Sequence, residues 1–138
     1  MPGYAAYPGT VGTILLVEDE EINRVLVRTI LRRAPEAGLR DAQLLEAATL
    51  AQARANLAAT EVDVMLVDLQ LPDGSGLALV DELVTSRPER RPTIIALTGD
   101  VLPERRAAAL AAGCDAFLDK PYTAAALRDL LAAHLPKA

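Results

Sequence analysis

The chain has 138 residues, 51% of them hydrophobic and 24% charged, which predicts one globular domain with a substantial core. Its formal net charge of −5 argues against a nucleic-acid-binding surface, because such surfaces are normally basic. The single cysteine, Cys114, cannot form an internal disulfide, and no apolar stretch approaches the roughly 18 residues of a membrane span. We therefore expect a cytoplasmic protein that contacts neither membrane nor nucleic acid.

Residues 1–12 are rich in proline and glycine and have little to bury, so we expect a flexible N-terminal tail. From residue 13 onwards, strand and helix signals alternate. The predicted strands span residues 13–17, 42–47, 62–68, 93–98 and 115–119, and the predicted helices span residues 20–34, 49–59, 75–86, 103–112 and 123–134. The segment 42–47 is also compatible with a helix, and the connection 34–41 before it is longer than expected.

Single residues mark several of the predicted boundaries. Pro103 suits the first turn of its helix, Gly113 suits the end of the same helix, and Thr123 is a candidate N-cap. The Asp73-Gly74 pair indicates a turn without a chemical role. The arginine pairs are interpreted as solvated helix ends or loops: Arg32-Arg33, Arg90-Arg91 and Arg105-Arg106.

Strands that alternate with helices of these lengths predict βαβ units. The expected fold is therefore α/β, with a parallel sheet covered by helices on both faces and a single domain spanning residues 13–138. Runs such as 14–17 and 93–97 are apolar throughout, as expected for strands buried on both sides.

Four of the predicted strands end at polar residues. These residues are Glu18-Asp19, Asp68, Thr98 and, just past the last strand, Lys120. The carboxyl ends of parallel strands lie along one edge of a sheet, so we expect these side chains to meet.

Three carboxylates repel one another unless a cation is present, and hard oxygen ligands suit Mg²⁺ or Mn²⁺. A lysine and a threonine hydroxyl would contact phosphoryl oxygens, and an aspartate can accept a phosphoryl group. Taken alone, Glu18-Asp19 would favour capping of the next helix instead.

At this point the chain resembles the receiver domains of bacterial two-component response regulators. The resemblance covers roughly residues 13–135 and depends on Glu18-Asp19, Asp68 followed by Leu71-Pro72-Asp73-Gly74, Thr98-Gly99 and Lys120-Pro121. It implies a doubly wound, flavodoxin-like five-stranded parallel sheet with strand order 2-1-3-4-5. It also implies that Asp68 is the phospho-acceptor, and that histidine kinases or histidine phosphotransfer domains are the phosphoryl donors.

The resemblance assigns further roles by position. Asp19 matches the direct metal ligand, Glu18 the companion acid that acts through water, and Gln70 the residue whose backbone carbonyl completes the metal site. Lys120 and Thr98 match the phosphoryl-contacting pair. Phe117 matches an aromatic switch residue that moves with Thr98, although it lacks the hydroxyl of a tyrosine. Gln70 and Asp100 occupy positions that tune the phosphoryl lifetime.

Two surfaces are candidates for partner binding. At 100° per residue, the apolar arc of the first helix comprises Ile22, Leu26, Val27, Ile30 and Leu31. Val25 falls outside this arc beside Ile22, so we expect both residues to face solvent and to dock the phosphoryl donor. The alternative is loose packing against a loop. The alanine-rich segment 103–112 is the second candidate surface, for an unknown downstream protein or a phosphorylation-linked dimer; the alternative is a monomer.

The leading hypothesis is a signalling receiver with self-catalysed phosphotransfer and autodephosphorylation, acting alone or in a phosphorelay, without a DNA-binding domain. It is not an enzyme in the usual sense. One alternative is a degenerate receiver that only binds protein. Another is an aspartyl phosphohydrolase, but such enzymes need a second acid two residues after the nucleophile, where this chain has Gln70.

Overall fold

The computed structural model describes residues 12–99 and 102–136. The strands are β1 (Thr13–Val17), β2 (Gln43–Ala47), β3 (Val64–Asp68), β4 (Gln70–Leu71), β5 (Gly74–Ser75), β6 (Thr93–Thr98) and β7 (Ala116–Asp119). The helices are α1 (Glu21–Arg32), α2 (Ala37–Arg40), α3 (Leu50–Ala59), α4 (Gly76–Ser86), α5 (Pro103–Ala112) and α6 (Ala124–His134).

Five of these strands form one parallel sheet in the order β2-β1-β3-β6-β7. The strands β4 and β5 form a separate antiparallel hairpin directly after Asp68. When the hairpin is left out, the order is 2-1-3-4-5, which confirms the predicted doubly wound, flavodoxin-like fold. All five residues of β1 are buried, as expected for a central strand covered on both faces.

The helices cover the two faces of the sheet and create two core layers. One layer contains buried residues of α3, α4 and α5, including Leu57, Leu79 and Ala109. The other contains buried residues of α1, α2 and α6, including Val27 and Leu127. The sheet is therefore held between two aliphatic layers, and its carboxyl edge is left open for a site.

The predicted elements are confirmed with shifts of one or two residues at their ends. The ambiguous segment 42–47 forms the edge strand β2, because its backbone pairs with β1 from Thr13 to Val17. The long connection after α1 contains the unpredicted short helix α2, whose Leu39 is buried against the layer that includes α6. None of the described helices is long and apolar enough to cross a bilayer.

The predicted boundary residues behave as expected. Pro103 opens α5, and Gly113 ends that helix with a φ of 122°, a conformation that favours glycine. The Thr123 side chain accepts a hydrogen bond from the Ala126 backbone N–H and caps α6. The predicted flexible tail lies outside the described residues except for Gly12, and the boundaries 1–12 and 13–138 stay predictions.

Candidate functional site

The register of the sheet brings the predicted strand-end residues to one edge. Val17 is aligned with Val67, and Thr98 is aligned with Asp119, the neighbour of Lys120. The Lys120 backbone N–H also donates to the Thr98 carbonyl oxygen at 2.9 Å, which ties the ends of β6 and β7 together. The result is an open cleft of about 1070 Å³, whose lining includes Asp19, Asp68, Gln70, Thr98, Arg106, Phe117 and Lys120.

Three carboxylates form a cluster in this cleft, as the sequence predicted. Glu18, Asp19 and Asp68 each contribute one oxygen atom, and these atoms lie within 4.8 Å of one another. Glu18 is 1% exposed, whereas Asp19 is exposed to solvent. Burial raises the pKa of Glu18 above its ordinary value, although a hydrogen bond from Lys120 works in the opposite direction. The Glu18 carboxylate also accepts from the Glu20 backbone N–H at 3.2 Å. Glu20 precedes α1, and the start of α1 has no side-chain cap hydrogen bond, so Glu18 does not cap this helix.

Lys120 bridges two of the three carboxylates. Its ammonium donates to Asp68 Oδ2 at 2.8 Å and to Glu18 Oε1 at 2.7 Å. Burial alone would lower the pKa of Lys120, but the hydrogen bonds to the two carboxylates outweigh it and raise that pKa. Lys120 is therefore a permanent cation beside Asp68.

The second oxygen of Asp68 is held by the chain that follows it. Asp68 Oδ1 accepts from the Gln70 backbone N–H at 2.8 Å, at the start of the β4–β5 hairpin. Gln70 lies in the same cleft, while the predicted metal-binding role of its carbonyl remains a prediction. Asp100, the other predicted lifetime-tuning position, lies outside the described residues.

The hairpin is anchored by Asp73, which the sequence analysis assigned only to a turn. The turn lies at Pro72 and Asp73, one residue before the predicted Asp73-Gly74 pair, because Gly74 begins β5. The Asp73 carboxylate also accepts from the backbone N–H groups of Leu50 and Ala51 at 2.8 and 3.2 Å. The Leu50 hydrogen bond is the main reason that the pKa of Asp73 is lowered. Asp73 thus caps α3, although 23 residues of sequence separate it from Leu50. The only signal for this role in the sequence was an acidic residue in a predicted turn.

The switch candidates, Thr98 and Phe117, both line the cleft near Asp68. Thr98 is 8% exposed, and Phe117 is partly buried against the layer containing α3, α4 and α5. The guanidinium of Arg106 lies over the Phe117 ring, 5.3 Å from its centroid. Arg106 also forms an ion pair with Asp119. The interpretation of Arg105-Arg106 as solvated is therefore wrong for Arg106, because sequence spacing does not reveal that α5 packs beside β7.

Arg90-Arg91 also differs from the sequence-based interpretation. Arg90 forms an exposed ion pair with Glu61, so it is solvated as expected. Arg91 donates two hydrogen bonds to the Asp115 carboxylate, at 2.8 and 3.0 Å, and it is only partly exposed. Asp115 in turn accepts from the Ile94 backbone N–H, so this pair ties the start of β7 to β6.

An exposed apolar patch lies on α1. Ile22 and Val25 are 76% and 42% exposed, which confirms that both face solvent. Leu26, a member of the predicted apolar arc, is 45% exposed and extends the patch. The core-facing side of α1 is carried by Val27 and Leu31 instead.

The cleft has the ligands that a divalent metal ion requires. Three carboxylates face the single ammonium of Lys120, so two negative charges are left uncompensated among these four groups. Hard oxygen donors with an open, solvent-facing side suit Mg²⁺, which keeps several of its waters. The residues present therefore fit a Mg²⁺ site, with Glu18, Asp19 and Asp68 as its acidic side.

Comparison with known proteins agrees with this geometry. The family model of the response regulator receiver domain matches residues 14–132. The chain belongs to this family. The receiver is thus a domain of two-component signal transduction, a class that accepts phosphoryl groups from histidine kinases and binds Mg²⁺.

The most similar curated relatives include sensor proteins and a response regulator. The receiver is 34% identical over 119 residues to the aerobic respiration control sensor protein ArcB of Escherichia coli K12, covering 86% of this chain and 14% of ArcB. It is 29% identical over 111 residues to the polar-differentiation response regulator DivK of Brucella ovis, covering 80% of this chain and 85% of DivK. The receiver thus spans about one seventh of the sensor protein.

Solved structures show the same fold. The receiver domain of a sensor histidine kinase from Pseudomonas aeruginosa PAO1 superposes with a TM-score of 0.76 at 30% identity, covering 90% of this chain and 97% of that one. That structure has a magnesium ion coordinated in its active-site cleft. The chemotaxis response regulator CheY4 of Vibrio cholerae superposes with a TM-score of 0.80 at 25% identity, covering 91% of this chain and all of CheY4.

Proposed function

We propose that this receiver accepts a phosphoryl group from a phosphohistidine donor onto Asp68, in a Mg²⁺-dependent reaction, and signals through Thr98 and Phe117. The observation that supports it most directly is the contact of Lys120 with Asp68 at 2.8 Å beside the three-carboxylate cluster. Lys120 is 25% exposed, but its two partners Glu18 and Asp68 are only 1% and 14% exposed, so charges are drawn out of water at a cost in free energy. Such arrangements cluster at functional sites. The complete acid and lysine set favours this function over a receiver that only binds protein.

In this proposal Asp68 is the nucleophile. One carboxylate oxygen forms a bond to phosphorus while the bond from phosphorus to the histidine nitrogen breaks, and the imidazole keeps the electron pair. The Gln70 backbone N–H holds Oδ1, and Lys120 contacts Oδ2 and would balance charge on the transferring oxygens. Glu18, Asp19 and Asp68, with the Gln70 carbonyl, would hold Mg²⁺ or Mn²⁺, which when bound supplies further positive charge to the phosphoryl oxygens.

The change in output would begin at Thr98. Its side chain is at the end of β6 and lines the same cleft as Asp68, so a phosphoryl group on Asp68 would attract its hydroxyl. Phe117 lines the cleft on the neighbouring strand β7 and would move with Thr98. Phosphorylation would thereby alter the surface of α5 and β7.

The donor would dock on the apolar patch of α1. Ile22, Val25 and Leu26 are exposed on the helix that begins two residues after Asp19, so a partner bound there would lie beside the acidic cleft. An exposed apolar cluster next to a reactive site is typical of a protein-binding surface. The donor class is a histidine kinase or a histidine phosphotransfer domain.

Intact mass spectrometry after incubation with acetyl phosphate and Mg²⁺ tests the acceptor. We expect a gain of about 80 Da, one phosphoryl group, in the wild type and in the control Asp129→Asn, but not in Asp68→Asn. Asp129 is an exposed carboxylate on α6. An adduct that survives Asp68→Asn would place the acceptor elsewhere. No adduct at all, where another receiver is labelled, would favour the protein-binding alternative.

A further inference from the structure

Phe117 has no polar group with which the protein can hold its ring in one orientation. A tyrosine at this position would offer a hydroxyl, but a phenylalanine offers only the negative potential of its ring face. Arg106 lies over that face, with its guanidinium carbon 5.3 Å from the ring centroid, within the range of a cation–π contact. The ring is therefore held electrostatically from the neighbouring helix α5.

Asp119 anchors the guanidinium in this place. Phe117 and Asp119 are two residues apart on β7, so their side chains project from the same face of the strand. Arg106 spans both of them, with its guanidinium over the ring and its Nη2 paired with the Asp119 carboxylate. A cation that is fixed at one end by a carboxylate loses less conformational freedom when it covers the ring.

The same arginine borders the reactive cleft. Arg106 and Phe117 line the cavity that contains Asp68 and Thr98. The Arg106 side chain is 30% exposed, so its interaction with the ring is only partly screened by solvent. Because Asp119 holds the guanidinium in place, a ring that leaves its present orientation would lose its contact with Arg106.

We propose that Arg106 is a positioning residue that holds Phe117 in its resting orientation and thereby opposes activation of the receiver. This inference depends on the proposed function in one respect, which is that Phe117 moves when Asp68 carries a phosphoryl group. Arg106, Phe117 and Asp119 together form the clamp. Release of the clamp would favour the activated orientation even before phosphorylation.

The composition of the chain provides a direct probe. Phe117 is the only phenylalanine in the sequence, so incorporation of 4-fluorophenylalanine places a single ¹⁹F resonance on the switch ring. The spectrum is recorded with Mg²⁺ alone and with Mg²⁺ plus beryllofluoride, which mimics the phosphoryl group on an aspartate. The two end positions of the wild-type resonance define the resting and the activated orientation.

Removal of the cation tests the clamp. In Arg106→Met, which keeps an apolar stem, we expect the resting resonance to move toward the beryllofluoride-bound position. The beryllofluoride concentration for half saturation should fall about two- to five-fold, the equivalent of one solvent-exposed cation–π contact. Arg106→Lys should restore most of the wild-type behaviour, because the charge remains.

Arg54→Met is the matched control. Arg54 forms a two-pronged ion pair with Glu82 between α3 and α4, at 2.9 and 2.7 Å, and its loss changes the net charge equally. We expect Arg54→Met to leave the resonance and the half-saturation point unchanged. Asp119→Asn should move the resonance and the half-saturation point in the same direction as Arg106→Met, but by less. Arg106 keeps its charge in this variant and loses only the carboxylate that fixes it in place.

The outcomes separate the clamp from the proposed function. Three results would overturn the clamp. In the first, Arg106→Met leaves both the resonance and the half-saturation point unchanged. In the second, the resonance of Arg106→Met moves away from the activated position, and in the third, Arg106→Lys behaves like Arg106→Met. A wild type that neither binds beryllofluoride nor accepts a phosphoryl group contradicts the proposed function instead. In that case the resonance can still move in Arg106→Met while it stays unchanged in Arg106→Lys and Arg54→Met. This result would support the contact between Arg106 and the Phe117 ring.

Discussion

Gly76, the first residue of α4, packs against the backbone carbonyl oxygen of Asp68 so closely that a β-carbon at position 76 would overlap that oxygen. The Gly76 backbone N–H also donates to the Leu69 carbonyl oxygen at 3.0 Å. The start of α4 is thus pressed onto the end of β3, and the segment that carries the candidate phospho-acceptor has no room to shift. Backbone atoms, unlike flexible side chains, cannot move aside for an added methyl group.

The first prediction concerns this contact. Gly76→Ala should lower the free energy of unfolding by about 1–3 kcal/mol, the usual cost of overpacking a tight site. Gly38→Ala is the control, because Gly38 lies in α2 with no neighbouring atom within 4 Å of an added β-carbon. It should be neutral, or stabilising by about 0.4–1 kcal/mol. Urea denaturation measures both, and equal midpoints for the two variants would contradict the close contact.

Asp19 provides a second prediction, in which stability and metal binding oppose each other. Asp19→Asn removes one of three clustered negative charges, so it should stabilise the metal-free protein. Asp19 itself is exposed, so solvent screens its repulsion with the other two carboxylates to about 0.2–1 kcal/mol. An increase in Tm of roughly 1–4 °C is therefore expected. The increase in Tm on addition of millimolar Mg²⁺ should become smaller, because an amide is a weaker ligand.

Thermal unfolding in EDTA and in Mg²⁺ checks this, with Asp129→Asn as the control. Asp129 is exposed on α6, and its removal should change neither Tm appreciably. A lower Tm of Asp19→Asn in EDTA would show that Asp19 makes a favourable contact that outweighs the repulsion in the cluster.

The third prediction addresses the patch on α1. Val25→Glu places a charge in the exposed apolar cluster. Phosphotransfer from a histidine donor that labels the wild type should then slow by at least about five-fold. This corresponds to a loss of roughly 1 kcal/mol in donor binding, as for a residue that contributes to an interface. Labelling by acetyl phosphate should be unchanged, because a small donor needs no docking surface. Thr85→Glu, an exposed position on α4, is the matched control. Equal losses with both kinds of donor would refute docking at this patch.

Cys114 provides a prediction about pH. Cys114 is 5% exposed, and burial raises the pKa of its thiol from an ordinary value of 9.0 to about 11. At pH 8 the thiolate fraction is then about one hundredth of that in the unfolded chain, so alkylation by iodoacetamide should be at least about 100-fold slower in the folded protein. Mass spectrometry of native and urea-unfolded samples measures this, and comparable rates would indicate an accessible thiol.

The sign of the stability effect follows from the same shift. The folded state holds the thiol proton more tightly than the unfolded state does, so the contribution of Cys114 to stability is complete below pH 9.0. It is lost as the pH rises from that value toward about 11. In Cys114→Ala this part of the alkaline loss of stability should disappear.

Patterns of a few neighbouring residues determined the strand and helix order of this protein. Apolar runs, boundary residues such as Pro103 and Gly113, and the polar residues that end each run are local properties, so the fold and the acidic cluster could be predicted. Because parallel strands end at one edge, the meeting of Glu18, Asp68 and Lys120 followed from that order alone.

Only the tertiary structure decided how side chains distant in sequence pair with one another. Asp73 caps α3, Arg106 covers Phe117, and Arg91 joins Asp115, and each of these pairs bridges separate elements. Their spacing in sequence carries no signal, because the distance between the partners depends on how helices and strands pack together in the fold. The local pattern therefore specifies which residues reach the edge of the sheet, while packing specifies which residues hold them there.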